Sequence, residues 1–351
     1  NNKSKIRYTK TKEKYMEIDL RSRNFLAMQD FSEEEILYLI DLAADFKKLK
    51  KEKRAHKYLD GQNLILLFEE ASTRTRTSFE VAAFDLGMGV SLINSNSSKL
   101  GEKESIEDSI NVFDRYYDGI VYRGNKQDML EKLVKMTEVP IYNAMTEKTH
   151  PSQMISDMLT IREKFGYLKG LNLLYLGYPG DIMPNSLSIT CAKLGINFTA
   201  AGPRKYFPKE DFIKLSKDFA KESGSQITYT EDLNLALGKA DIIYTDMWIA
   251  LTEVDHVPIE RIMDLYPYRV DRKVMDKTKD TTIFMHCLPA FHDTKSKLAQ
   301  KVLAKLPKDM DFDGMEVTDE VFRSAKSTVF DQTENRIPAV KAILYSTLKY
   351  E

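Results

Sequence analysis

Asn63-Leu64-Ile65-Leu66-Leu67-Phe68-Glu69-Glu70-Ala71-Ser72-Thr73-Arg74-Thr75-Arg76-Thr77-Ser78-Phe79-Glu80 is the most informative stretch of the chain. Its first six residues form a short apolar run after Gly61, which reads as a buried strand. A helix over 77–86 follows, so the Ser/Thr/Arg run lies at a strand–helix junction. Amide N–H groups at a helix N-terminus attract anions, and hydroxyl and guanidinium groups add charge-assisted donors. A lone Ser72 would read as a plain N-cap, with Arg74 and Arg76 paired to nearby acids. Two hydroxyl–arginine pairs in tandem favour a phosphate site built without a glycine loop.

Upstream, Asp30-Phe31-Ser32-Glu33-Glu34-Glu35 announces a helix: Ser32 can cap it, Glu35 can close the capping box, and Phe31 and Ile36 sit at staple spacing. Lys47, Lys48, Lys50, Lys51, Lys53 and Arg54 crowd its end, which reads as a solvated terminus favoured by the macrodipole rather than a nucleic-acid patch. Downstream, strands over 89–93, 119–122 and 139–142 alternate with helices over 106–116 and 129–136. Pro151 opens a long helix ending near 165–166. A second series follows the 166–170 turn, with strands over 171–176, 197–201, 227–230, 241–244 and 282–285 and helices over 186–194 and 209–223. Such alternation predicts parallel sheets with crossover helices, in two consecutive α/β halves.

The 351 residues are 42% hydrophobic and 30% charged, enough for about two domains with real cores. A formal net charge of −1 excludes bulk attraction to nucleic acid or an anionic membrane. No 18-residue apolar run is present, and the basic opening lacks the apolar centre of a secretory signal. Cys191 and Cys287, the two cysteines, exclude a disulfide framework and a four-cysteine zinc site. The expectation is a cytoplasmic protein without a cofactor or metal.

Further candidates lie at predicted strand ends, where open α/β sheets bind ligands. Arg123 follows the 119–122 strand; taken alone, it would more often be a surface salt bridge. His150-Pro151-Ser152-Gln153 places Pro151 at the first helical position, so His150 projects at a helix N-terminus. A neutral imidazole there can donate to a carbonyl, though a structural capping histidine fits equally. Cys287, in His286-Cys287-Leu288-Pro289, reads as a nucleophile, a metal ligand or a polar wall. Zinc is disfavoured because His286 and His292 are six apart and Cys191 falls in an unrelated helix. Asp246 can anchor an amine. Gly177-Tyr178-Pro179-Gly180 lacks the dinucleotide-binding glycine pattern, and no ribose-binding acid ends the next strand, which disfavours NAD.

Ser72-Thr73-Arg74-Thr75-Arg76, the Arg123 strand, His150-Pro151-Ser152-Gln153 and His286-Cys287-Leu288-Pro289 occur in the order of the aspartate/ornithine carbamoyltransferase family, which this chain resembles from Phe25 to Leu348. Gly101-Glu102-Lys103-Glu104, Gly314-Met315-Glu316-Val317 and Glu334-Asn335-Arg336 bring it nearest to the bacterial ornithine enzymes. The resemblance implies two doubly wound α/β domains: 1–165 with about 335–351 for carbamoyl phosphate, and 166–334 for the amine, the last helix returning to the first domain. It implies that Ser72, Thr73, Arg74 and Thr75 bind phosphate, that Arg123, His150 and Thr75 polarise the carbamoyl oxygen, and that Gln153 holds the carbamoyl nitrogen. Carbonyls at Cys287 and Leu288 would position the carbamoyl group, and Arg336 would close the pocket. Lys99 stands where a glutamine normally reaches a neighbouring subunit's site, so the resemblance also implies homo-oligomers built on trimers with shared active sites.

On the acceptor side Asp246 is retained. Asp181-Ile182 replaces a pair of asparagines, and Ala250-Leu251-Thr252 replaces Ser-Met-Gly. Ile182, Ala250 and Leu251 are therefore the positions where acceptor contacts differ. The expected activity is an ornithine carbamoyltransferase making citrulline and phosphate in arginine catabolism. Its alternatives are a putrescine or other amine carbamoyltransferase, or a catalytically silent homologue acting as an assembly partner.

Overall fold

Asn63–Phe68 (β1) pairs in parallel with Gly89–Asn94 (β2) on one side and Gly119–Arg123 (β3) on the other, and β3 pairs with Ile141–Asn143 (β4). The computed structural model describes residues 14–15, 17–70, 72–94, 104–250, 253, 256, 258–307 and 312–349. These fall into two compact units, one within Asn1–Lys164 and Glu334–Glu351, the other within Phe165–Thr333.

In the first unit, Glu33–Lys51 (α1) starts at Ser32, whose side chain accepts from the Glu35 amide while Glu35 Oε2 accepts from the Ser32 amide. The sheet order β2-β1-β3-β4 reverses direction beside β1. With right-handed crossovers, Arg74–Leu86 (α2) therefore lies on one face, and Ile106–Tyr116 (α3) and Gln127–Met136 (α4) lie on the other. Ile65, Leu67, Ile120 and Tyr122 pack with Ile110, Leu130 and Leu133 on the α3–α4 side. Leu64, Leu66 and Phe68 alternate to the opposite side and are buried too. That double burial explains why β1 reads as an unbroken apolar run. Gly87 ends α2 at φ +92, where a Cβ would also meet Asp60 Oδ1 at 2.9 Å. Pro151–Phe165 (α5) closes this part of the chain, and the C-terminal helix Arg336–Leu348 belongs to the same unit.

The second unit contains Asn172–Leu176 (β5), Asn197–Ala201 (β6), Ile227–Thr230 (β7), Ile242–Thr245 (β8) and Ile283–His286 (β9), all parallel, in the order β7-β6-β5-β8-β9. Here the order reverses between β5 and β8. Leu174, Leu176, Ile243 and Phe284 pack with Val270 and Val317 on one face.

Several sequence expectations shift. The helix expected over 77–86 begins at Arg74, with Thr73 rather than Ser72 at its N-cap and no side-chain capping bond. The 186–194 helix begins at Ile182, capped by Asp181, whose Oδ1 accepts from the Ile182 amide at 2.8 Å. Lys47 and Lys50 are not simply solvated: Lys47 pairs with Glu163 at 2.8 Å and Lys50 with Asp85 at 2.7 Å. Those partners come from distant segments and could not be read from the charge run itself.

Candidate functional site

Each sheet order reverses once, between β1 and β3 in the first unit and between β5 and β8 in the second, and open α/β sheets bind ligands beyond the carboxyl ends of the strands that flank such a point. In the first unit the flanking strands are β1 and β3. The β1 exit carries Ser72, Thr73, Arg74 and Thr75 into the start of α2, while Arg123 is the last residue of β3 rather than lying beyond it. Thr75 is buried, and its Oγ1 accepts from Arg336 Nη2 at 2.8 Å and from Arg123 Nη1 at 3.4 Å. Arg123 also donates to the Ala144 carbonyl at 3.3 Å. The structure thus joins Thr75, Arg123 and Arg336, drawn from three separate segments. Arg76 instead pairs with Glu80, 2.8 Å away on its own helix. An open cleft of about 290 Å³ is lined by Ser72, Thr73, Arg76 and Thr77 with Glu70 and Glu80.

Pro151 is the first residue of α5, as expected, and His150 before it is buried. Burial, reinforced by the Arg336 and Arg123 guanidiniums, holds His150 well below the usual imidazole range. It is therefore neutral at physiological pH. Ser152 Oγ lies 3.4 Å from its Nδ1. Gln153 donates from Nε2 to Asp157 at 2.7 Å, while its Oε1 is buried and accepts no hydrogen bond from the described residues.

In the second unit the flanking strands are β5 and β8. Asp246 directly follows β8, and the Cys287 thiol donates to its Oδ1 at 3.4 Å. Burial raises the Asp246 carboxyl, opposed by the nearby His286. Asp181, after β5, is pushed up to about 6 by burial and then by the Asp246 charge. Glu316 holds the segment carrying Cys287 and Leu288: its Oε1 faces His286 Nε2 at 3.1 Å and accepts from the Phe291 amide at 2.6 Å. Sequence reasoning quoted Glu316 only as part of a motif and missed this positioning role, because nothing local marks a buried carboxylate as a loop anchor. The Leu288–Pro289 peptide is cis. Ile182 is the first residue of α6 (Ile182–Lys193), and Ala250 is exposed. Lys99 and Leu251 lie outside the described residues.

His292, Asp293 and Asp319 bring ligand atoms within 4.8 Å of one another. Asp319 is already engaged by His292 at 2.6 Å and Arg323 at 2.8 Å, so the group is satisfied as an ion-pair network.

The aspartate/ornithine carbamoyltransferase carbamoyl-P binding domain model matches residues 23–163, and the Asp/Orn binding domain model of the same family matches 169–347. This chain belongs to that family. Its second match runs into the C-terminal helix, which nevertheless packs in the first unit. The chain is 48% identical to the catabolic ornithine carbamoyltransferase of Treponema denticola, covering 94% of this chain and 96% of that one. It is 45% identical to the catabolic ornithine carbamoyltransferase of Streptococcus pyogenes serotype M1, covering 93% and 96%. Among solved structures, ornithine carbamoyltransferase from Pyrococcus furiosus superposes with a TM-score of 0.85 at 35% identity, covering 94% of this chain and 98% of that one. Among the described residues, no helix is long and apolar enough to cross a membrane.

Proposed function

We propose that this chain is an ornithine carbamoyltransferase that transfers the carbamoyl group of carbamoyl phosphate to the δ-amine of ornithine, giving citrulline and phosphate. The observation that carries this reading is the 48% identity, over nearly the whole chain, to a relative named for that activity. The putrescine alternative drawn from the acceptor positions is not favoured, since the relatives matched at 48% and 45% are named for ornithine.

Carbamoyl phosphate binds in the first unit. The Ser72-Thr73-Arg74-Thr75 turn takes the phosphate on amides, hydroxyls and a guanidinium, and Arg336 helps hold it. Arg123, Thr75 and neutral His150 donate toward the carbamoyl oxygen, where negative charge grows as the amine adds. A neutral His150 carries one ring N–H, which can donate to that oxygen. Gln153 Oε1 accepts from the carbamoyl NH2. In the second unit Asp246 anchors the amine substrate, and Cys287 and Leu288 keep the carbamoyl-positioning roles that the resemblance gives them. The δ-amine attacks the carbamoyl carbon, the C–O bond to phosphate breaks, and the amine proton leaves with the phosphate. No cofactor or metal enters.

The relatives' catabolic names support a catabolic role, which we place in arginine breakdown in the cytoplasm as the sequence reading expects, and the family resemblance supports trimer-based homo-oligomers with shared sites. Citrulline formation from carbamoyl phosphate and a panel of amines tests the activity. Turnover of ornithine above all other amines is expected, and turnover of none returns the silent-homologue reading. Light scattering tests the trimer.

A further inference from the structure

Ile182, the first residue of α6, and the exposed Ala250 cannot offer a side-chain contact to an acceptor's α-carboxylate, yet ornithine carries one. We infer that Arg261 is the carboxylate-binding residue of the acceptor site, and that Glu253 occupies its guanidinium until the acceptor arrives. This inference rests on the ornithine reading above and names the group that reads the amino-acid end of that substrate.

Arg261 lies in the short helix Ile259–Leu265, away from every motif that marked the family. Its guanidinium meets Glu253 at 2.8 Å through Nη1 and at 3.0 Å through Nη2, two parallel bonds to one carboxylate. That fork is the geometry with which arginine holds any carboxylate, including one carried by a ligand. Nη1 also reaches the Trp248 carbonyl at 3.4 Å, two residues beyond Asp246. The Arg261 guanidinium carbon stands 5.5 Å from the centre of the Tyr178 ring, in the loop that leaves β5. The acceptor-side loops after β5 and β8 thus both touch Arg261. Its charge is felt at Asp181, where it opposes the upward push from burial and Asp246.

The cluster has the polarity of an amino acid turned inside out. Asp246 and Asp181 supply negative charge for ammonium groups, and Arg261 supplies a fork for a carboxylate. The Arg261 and Glu253 side chains are only partly buried, at 25% and 32% exposure, so an incoming carboxylate can displace Glu253 without opening the core. The pair is partly solvated, so its attraction is screened and the exchange costs little.

Competitive inhibition of the full enzyme in saturating carbamoyl phosphate separates the two ends of the acceptor. Norvaline keeps the α-carboxylate and lacks the δ-amine; 1,4-diaminobutane keeps the amine and lacks the carboxylate. Arg261→Ala is expected to weaken norvaline by about ten- to hundredfold, the worth of one charge-assisted contact, and to lower the norvaline-to-diaminobutane selectivity by the same factor. Glu253→Gln, which keeps shape and removes the competing charge, is expected to tighten norvaline severalfold. Equal weakening of both inhibitors by Arg261→Ala would mean a structural pair, and no change in either would remove Arg261 from the site; both outcomes overturn the inference. Weaker or unchanged norvaline binding in Glu253→Gln overturns the displacement step. Failure of the unmodified enzyme to make citrulline would instead strike the ornithine reading itself.

Discussion

Arg336 donates from Nη2 to the hydroxyl of Thr75 across 2.8 Å, joining residues 261 positions apart in the chain. The contact places the first turn of the C-terminal helix on the first turn of α2, at the switch point of the first sheet. Arg336 is therefore expected to sense the phosphate proposed to bind at the start of α2. Arg336→Ala should weaken carbamoyl-phosphate binding by about ten- to hundredfold, read by calorimetry, with an unchanged far-ultraviolet dichroism spectrum.

Arg74 opens α2, where amide donors and a guanidinium can act together on one anion. Arg74→Ala is expected to cost a similar ten- to hundredfold in carbamoyl-phosphate affinity, roughly one charged hydrogen bond. Binding at the unmodified affinity would take Arg74 out of the phosphate site.

His150 is held neutral by burial and two neighbouring guanidiniums. Its folded pKa lies below the unfolded value of 6.5, so the stability it contributes is complete above pH 6.5 and falls as pH drops toward the folded value. Its ring proton resonances should not titrate between pH 6 and 8 in NMR spectra. A midpoint near 6.5 would contradict the neutral donor.

Asp181 is pushed up to about 6. Folding therefore favours its protonated form, and its contribution to stability is lost as pH rises from the ordinary carboxylate value through 6. On the proposed reading, loss of that proton adds negative charge beside the acceptor's ammonium. Apparent acceptor affinity should rise as pH increases from 5 to 7, and Asp181→Asn should flatten that rise in KM measurements.

Lys341, on the C-terminal helix, is almost wholly buried; its Nζ lies 2.6 Å from Asp85 Oδ2 and 2.8 Å from His56 Nε2. His56 Nδ1 donates to the Arg54 carbonyl at 2.7 Å, which leaves Nε2 to accept from the lysine. Burial and the lysine charge lower the His56 pKa, so its contribution is present above pH 6.5 and declines below it. Asp85→Asn strands a buried ammonium and is expected to cost roughly 3–5 kcal/mol in urea unfolding. A loss under 1 kcal/mol would mean that the lysine finds other partners.

The buried strands were legible because parallel strands covered on both faces need continuous apolar runs, as in Leu64 to Phe68. The true start of α2 was less so: Ser72 to Thr77 has no apolar period, and only the folded backbone shows that helix begins at Arg74. The helices Ile259–Leu265 and Arg272–Met275 span seven and four residues, too short for an amphipathic pattern to declare itself.

Local order and chemical type were thus determined by the sequence: which segments become strand or helix, and that Thr75, Arg123, His150, Cys287 and Asp246 lie near strand or helix ends. Tertiary structure alone decided the partners, setting Arg336 on Thr75, Glu316 under the Cys287 segment and Glu253 on Arg261. It also decided protonation, keeping His150 neutral and Asp181 titrating near 6. The reason is physical: strand and helix tendencies depend on neighbours a few residues away, whereas desolvation and hydrogen-bond partners come from segments that only folding brings together.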